Sequence, residues 1–196
     1  MISFGDSYIA FSSFGLSFNS ILLSPPIIAP FWDDVDIQKG GTIYYRQDFN
    51  SSVANKIQQE IYTQFPDAGF FYPSLVFVAT WDRVAAFSSD FSDRFNTFQT
   101  IIASDGRKTF VRFSYGDIQW GGSSTLIGIS AGDRTNYITH PASMSSSILL
   151  LDNTATTYRI DSKLYDLFSI AQPFRIIHHT KSRLGKSVEL HRRAFR

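Results

Sequence analysis

The order of apolar and polar positions along this chain is that of short β-strands joined by tight turns. From Met1 to Ser20, large apolar residues (Phe4, Tyr8, Phe11, Phe14, Phe18) alternate with small polar ones, predicting one or two strands with turns at Gly5-Asp6 and Gly15. Pro25, Pro26 and Pro30 then impose an extended segment, because proline has no amide proton to donate and its predecessor avoids helical angles. Gly40-Gly41 lies between Ile37 and Ile43 and offers the positive φ of a hairpin turn, with Thr42 to Arg46 as the returning strand. Leu75 to Trp81 is a continuous apolar run, the pattern of a central strand covered on both faces. Ser88 to Asn96 reads as a polar loop. Thr97 to Ala103 and Lys108 to Tyr115 flank Ser104-Asp105-Gly106-Arg107, where Asp-Gly predicts a hairpin, and Val111, Phe113 and Tyr115 share one face of its second strand. Leu126 to Ala131 predicts a strand, Asp133 to Ser147 a loop, and Ile148 to Leu151 a short apolar strand.

Ser52 to Phe65 breaks this pattern. Ile57, Ile61 and Phe65 recur every four residues, with Val53 and Ala54 one turn earlier, so one helical face is apolar and is expected to lie on a sheet. Ser51 or Ser52 can cap its start, and Pro66 marks its end. The fold class is therefore mainly β, a β-rich α+β fold: antiparallel sheets in a sandwich-like core with one amphipathic helix over about 52–65. No internal repeat and no second domain is visible. One domain over 1–177, followed by a basic tail over 178–196, is the expected organisation.

Composition supports a packed core. The chain has 196 residues, is 43% hydrophobic and 16% aromatic, and carries 19 Phe, a residue that suits pleated, half-buried surfaces. The net charge of +1 hides an uneven distribution: His178 to Arg196 holds six Lys or Arg against Glu189 alone, whereas Met1 to Ile177 holds 12 basic and 16 acidic residues. A basic terminus is ordinarily a solvated one, and this one has few aromatics to stack on bases, so no nucleic-acid partner is expected. The absence of cysteine excludes Cys nucleophiles, Cys-ligated zinc and iron–sulfur clusters while leaving the compartment open. Met1-Ile2-Ser3-Phe4-Gly5-Asp6 has neither the basic start nor the apolar run of a signal peptide. Ile21-Leu22-Leu23 is stopped by Pro25 and Pro26 far short of a membrane span. By itself the chain reads as cytosolic, and a piece of a longer secreted protein has the same signature.

Several motifs suggest chemistry. Gly128-Ile129-Ser130-Ala131-Gly132 matches the G-x-S-x-G pattern of serine hydrolases, with Asp161 and His178 following in the required order. That chemistry needs a strand-to-helix turn, and Asp133 to His140 is a poor helix former, so a strand-end turn is the better reading. Asp33, Asp34 and Asp36 form an oxygen-rich cluster that suits Ca²⁺, but a strand sends Asp33 and its two companions to opposite faces, so capping of turns competes. His178, His179 and His191 lack the spacing of a zinc site. Trp32, Trp81 and Trp120 could form a ligand platform, although buried indoles with satisfied N–H groups are the commoner arrangement. Asn50-Ser51-Ser52 is an N-glycosylation sequon just ahead of the helix, relevant if the protein is secreted. No P-loop, G-x-G-x-x-G or H-E-x-x-H is present.

The residues Ile28-Ala29-Pro30-Phe31-Trp32 with the Asp run, Gly41 to Arg46, Val78-Ala79-Thr80-Trp81-Asp82, and Asn96-Thr97-Phe98-Gln99 with Ser104-Asp105-Gly106 together resemble the NIDO domain. That domain is the extracellular module of nidogen, alpha-tectorin and mucin-like membrane proteins. The likeness covers about Ile2 to Ile177 and is strongest from Ile28 to Gly132. The start resembles the interior of the family's first part, as in a clipped fragment, and the segment after Leu151 matches loosely. At the family's Gly-x-Asn-Ala-Gly-Asp-like run, Ala131-Gly132-Asp133 is kept and Ser130 takes the Asn place, which favours a turn. The resemblance implies a non-enzymatic extracellular module of a matrix or cell-surface protein acting in cell–matrix adhesion. The implied partners are extracellular matrix or cell-surface proteins. No cofactor is implied, with Ca²⁺ at Asp33, Asp34 and Asp36 as the alternative.

Overall fold

The computed structural model describes residues 2–5, 7–10, 26–160 and 176–178. Among the described residues the strands form two sheets. The first contains β1 (Ile2–Gly5), β2 (Tyr8–Ala10), β3 (Ile27–Trp32), β8 (Leu126–Ser130), β9 (Tyr137–Thr139) and β11 (Ile176–His178), in the order β11-β1-β2-β3-β8-β9. The second contains β4 (Thr42–Asp48), β5 (Leu75–Ala85), β6 (Phe95–Ser104), β7 (Thr109–Ile118) and β10 (Ala155–Ile160), in the order β10-β7-β6-β5-β4. Every pairing is antiparallel except β1 with β11, which is parallel.

The period of two along each strand builds the core. Ile28 of β3 pairs with Ile129 of β8, and both join the cluster formed by Trp81, Phe98, Phe113 and Tyr115 of the second sheet. Their neighbours Ile27 and Ala29 face the other way and pack with Trp32 and Tyr8 on the outer side of the first sheet. At the centre, the Phe98 ring stacks between Phe31 at 5.3 Å and Trp81 at 5.1 Å, and Trp120 meets Phe31 edge-on at 5.2 Å. Offset and edge-on contacts of this kind add to the area term because ring edges carry positive and ring faces negative charge.

Pro30 interrupts β3, and the register to β8 shifts between Ala29 and Trp32. A proline cannot donate to the ladder, so a bulge is the natural place for it. Its freed carbonyl is used: the buried Tyr115 hydroxyl donates to Pro30 O at 2.8 Å and ties the second sheet to the first. A second irregularity lies in β5, where Asp82 and Arg83 together oppose Thr97, and Arg83 takes φ 52°. Thr97 Oγ1 accepts from the Arg83 amide there at 3.1 Å.

Helix α1 (Ser51–Gln64) covers the outer face of the second sheet. Ile57, Ile61 and Phe65 pack on Phe71, Ala103 and Phe110, as the four-residue repeat predicts. The capping residue is Asn50 rather than Ser51 or Ser52, and the helix begins and ends one residue before its expected bounds. An asparagine in extended conformation can aim its carbonyl oxygen at the N2 amide, and Ser51 and Ser52 already lie within the first turn.

Four expectations change. Gly40-Gly41 does not close a hairpin; the chain there crosses between the sheets, and β4 pairs with β5. β5 is an interior strand between β4 and β6, buried on both faces as expected, but it runs on past Trp81 to Ala85. Ser146–Leu150 is a 3₁₀ turn capped by Ser145 rather than a strand. The stretch read as loop contains β9, and β10 follows it unforeseen. The turn expected at Gly15 lies outside the described residues, as do residues 179–196 of the basic tail. The domain boundary expected after residue 177 falls inside β11, whose last residue, His178, pairs with Phe4.

Candidate functional site

The three aspartates after Trp32 serve separate local structures. The Asp33 carboxylate accepts from the Asp34 amide at 2.8 Å and, through its other oxygen, from the hydroxyls of Thr125 and Ser124. Asp33 O also accepts from Ser7 Oγ at 3.0 Å, so this residue joins the β1–β2 hairpin, the end of β3 and the approach to β8. Asp36 Oδ1 accepts from Gln38 N at 2.9 Å within its own turn, and Asp34 O accepts from Phe87 N at 2.7 Å. Among the described residues no group of three or more carboxylate or imidazole side chains is gathered to hold an ion. Turn amides and hydroxyls thus supply the donors that a cation would otherwise replace for Asp33 and Asp36.

Ser130 ends β8 and is 1% exposed. It pairs with Ile27, so its side chain lies on the outer face of the first sheet, and its Oγ accepts from Gly132 N at 3.1 Å. The chain then turns into β9 instead of a helix, so the exposed strand-to-helix elbow of a hydrolase is not formed. Asp161, His179 and His191 lie outside the described residues, and of His178 only the backbone pairing is described. The turn that replaces the elbow is held by Asp133. Its carboxylate accepts from the Asn136 amide and side chain and from the Thr135 amide, which together hold it well below the usual carboxylate range.

The three tryptophans are all buried, at 2% or less, and none offers a face to a ligand. Trp120 Nε1 donates to Val84 O at 3.3 Å. Trp81 departs from the satisfied arrangement: its Nε1 meets no acceptor among the described residues, and neither does Thr100 Oγ1 on the same inner face.

Two residues outside the sequence-based candidates have structural roles of their own. Asn96 is fully buried and clamps the end of β7: its Oδ1 accepts from Gln119 N at 2.8 Å and Trp120 N at 3.1 Å, and its Nδ2 donates to Trp120 O at 2.9 Å. His140 bridges the sheets. Its Nδ1 accepts from Ala142 N at 3.0 Å, which leaves the proton on Nε2 to be donated to Thr156 Oγ1 at 3.2 Å. Neither is visible in sequence, because the partners of Asn96 lie 23 and 24 positions away and the role of His140 depends on β10.

The His140 ring meets the Tyr115 ring edge-on at 6.5 Å, with Thr156 and Ala142 as its polar contacts, and burial lowers its pKa from 6.5. Only the neutral ring can accept the Ala142 amide. Below pH 6.5 the unfolded chain therefore binds the proton more readily than the folded one, so stability falls with pH until the folded value is passed. Melting temperature measured from pH 7.5 down to 5 is expected to decline less steeply in His140→Gln than in the wild type. Equal slopes would contradict the bridge.

The candidate side chains among the described residues hold turns, bulges and sheet contacts, and the molecule is a two-sheet, β-rich domain. The nidogen-like (NIDO) domain model matches residues 1–162, and the chain belongs to that family. Alpha-tectorin of Mus musculus is 29% identical over 160 residues, covering 71% of this chain and 7% of that protein. Dendrite extension defective protein 1 of Caenorhabditis elegans is 31% identical over 153 residues, covering 76% of this chain and 13% of that protein. Nidogen-2 of Mus musculus is 37% identical over 97 residues, covering 46% of this chain and 7% of that protein. The chain thus matches between 7% and 13% of the length of these curated relatives. No solved structure gives a significant match. No helix among the described residues is long and apolar enough to cross a membrane.

Proposed function

We propose that this chain is a non-enzymatic extracellular module of a matrix or cell-surface protein and acts in cell–matrix adhesion. Membership of the nidogen-like family carries the reading. A fold alone does not assign a function, so the polar groups matter as well. Ser130 is closed off in a turn, and Asp33 and Asp36 are occupied by their own turns. What remains is recognition by a stiff frame, in which the aromatic core and the Tyr115–Pro30 bond keep the outer surfaces in fixed relation. A preorganised surface loses less conformational entropy when it binds, which favours such a frame in recognition. The partners on this reading are extracellular matrix or cell-surface proteins.

Surfaces coated with the folded domain are expected to retain cells, or cell-free matrix, above an albumin coat. A coat of the Phe98→Ala protein, in which the core is broken, is expected to lose that retention. Equal retention on all three coats would contradict the proposal.

A further inference from the structure

The sequon at Asn50-Ser51-Ser52 lies where a bulky polar group can be carried without disturbing the fold. Asn50 is exposed and caps α1 with one half of its amide. Its Oδ1 accepts from Ser52 N at 2.8 Å and from Ser52 Oγ at 2.8 Å. The oxygen must face these donors, since an amide nitrogen cannot accept them. The Nδ2 group is thereby turned away, and it meets no acceptor among the described residues. Asn50 also follows directly on β4, the edge strand of the second sheet, and on Phe49, which is 78% exposed. Among the described residues β4 closes one side of the second sheet, and an exposed aromatic at the end of such a strand is a site for unwanted association that a large hydrophilic substituent obstructs.

We infer that Asn50 is an N-glycosylation site whose glycan stands at the end of edge strand β4 while the helix cap is retained. In the transfer, Asn50 Nδ2 attacks the anomeric carbon of an oligosaccharide carried on a lipid diphosphate. The C–N bond forms as the C–O bond to the diphosphate breaks; the lipid diphosphate leaves with the electron pair, and one Nδ2 proton passes to a base. The product is still an amide, so its Oδ1 continues to accept from Ser52 N. The inference rests on the extracellular reading, because the donor is met in the secretory route.

The test uses the 196-residue chain secreted behind a cleavable leader, beside the full-length protein from its own source. Intact mass before and after a glycan-removing amidase, with peptide mapping, reads the modification. The wild type and Ser52→Thr are expected to carry glycan at position 50. Asn50→Asp, which keeps a capping oxygen, and Ser52→Ala, which keeps the Asn50 cap, are expected to carry none and to remain folded. The glycosylated wild type is expected to stay monomeric at concentrations where Ser52→Ala associates. Secreted wild-type chain with Asn50 unmodified would overturn the site. Modification behind the leader but none in the natural protein would leave the site standing and count against the extracellular reading.

Discussion

Phe98→Ala is expected to be among the most damaging single substitutions in this chain, lowering stability by about 3–5 kcal/mol. Phe98 is 1% exposed and its ring is held between Phe31 and Trp81, one from each sheet. Its removal takes away the transfer energy of a full aromatic ring and leaves a cavity that neither sheet can close without shifting the other. The stacking on two further rings adds to the loss. Domains of this size have a total stability of about 5–15 kcal/mol, so the variant sits near the unfolding threshold at physiological temperature. Scanning calorimetry or urea titration would show a melting temperature lower by roughly 6–20 °C. Phe70→Ala is the comparison, because Phe70 is 81% exposed. Its effect is expected within about 0.5 kcal/mol. Similar losses in the two variants would mean that the sandwich core is not where the structure places it.

Gly41→Ala is expected to be nearly as severe for a different reason. Gly41 has φ 94°, and an added Cβ would lie 2.5 Å from Val84 Cα, 2.6 Å from Arg83 O and 2.7 Å from Val84 N. All three atoms are backbone, in the β5 bulge, so no rotamer change relieves the contact. Backbone strain of about 1–3 kcal/mol and overpacking of about 1–3 kcal/mol combine to roughly 2–6 kcal/mol. Gly106→Ala separates the two contributions. Gly106 has φ 85°, yet nothing lies within 4 Å of the added carbon, so only the conformational cost of about 1–2 kcal/mol remains. Chemical denaturation of both variants is the check, and equal costs would contradict the close approach of Gly41 to the bulge.

These two sites show what a sequence of this kind discloses and what it withholds. Hydrophobic period alone located α1 and its buried face, and Asp105-Gly106 marked the β6–β7 hairpin because the turn chemistry is local. The Asp105 carboxylate accepts from both Arg107 N and Lys108 N. Gly40-Gly41 was equally legible as a place of positive φ, but its partners were not: Gly41 lies against the bulge at Arg83 and Val84, and Gly40 against Phe95 and Ala85, all more than forty positions on. A four-residue apolar run such as Ile148 to Leu151 has the same composition in a strand and in a 3₁₀ turn, and only the Ser145 cap decides. β9 has three residues, too few to display alternation. The Asp33–Asp36 cluster illustrates the same limit for chemistry. Three neighbouring carboxylates suggest a cation site, and the sequence does not show that the hydroxyls of Thr125 and Ser124, far along the chain, bond to Asp33.

A module of cell–matrix adhesion must act outside the cell. The most direct measurement is to tag the full-length product at its own locus and stain cells before and after permeabilisation, alongside fractionation of the deposited matrix. Signal is expected on unpermeabilised cells or in the matrix fraction. Signal confined to permeabilised cells, with none in matrix or medium, would contradict the proposal.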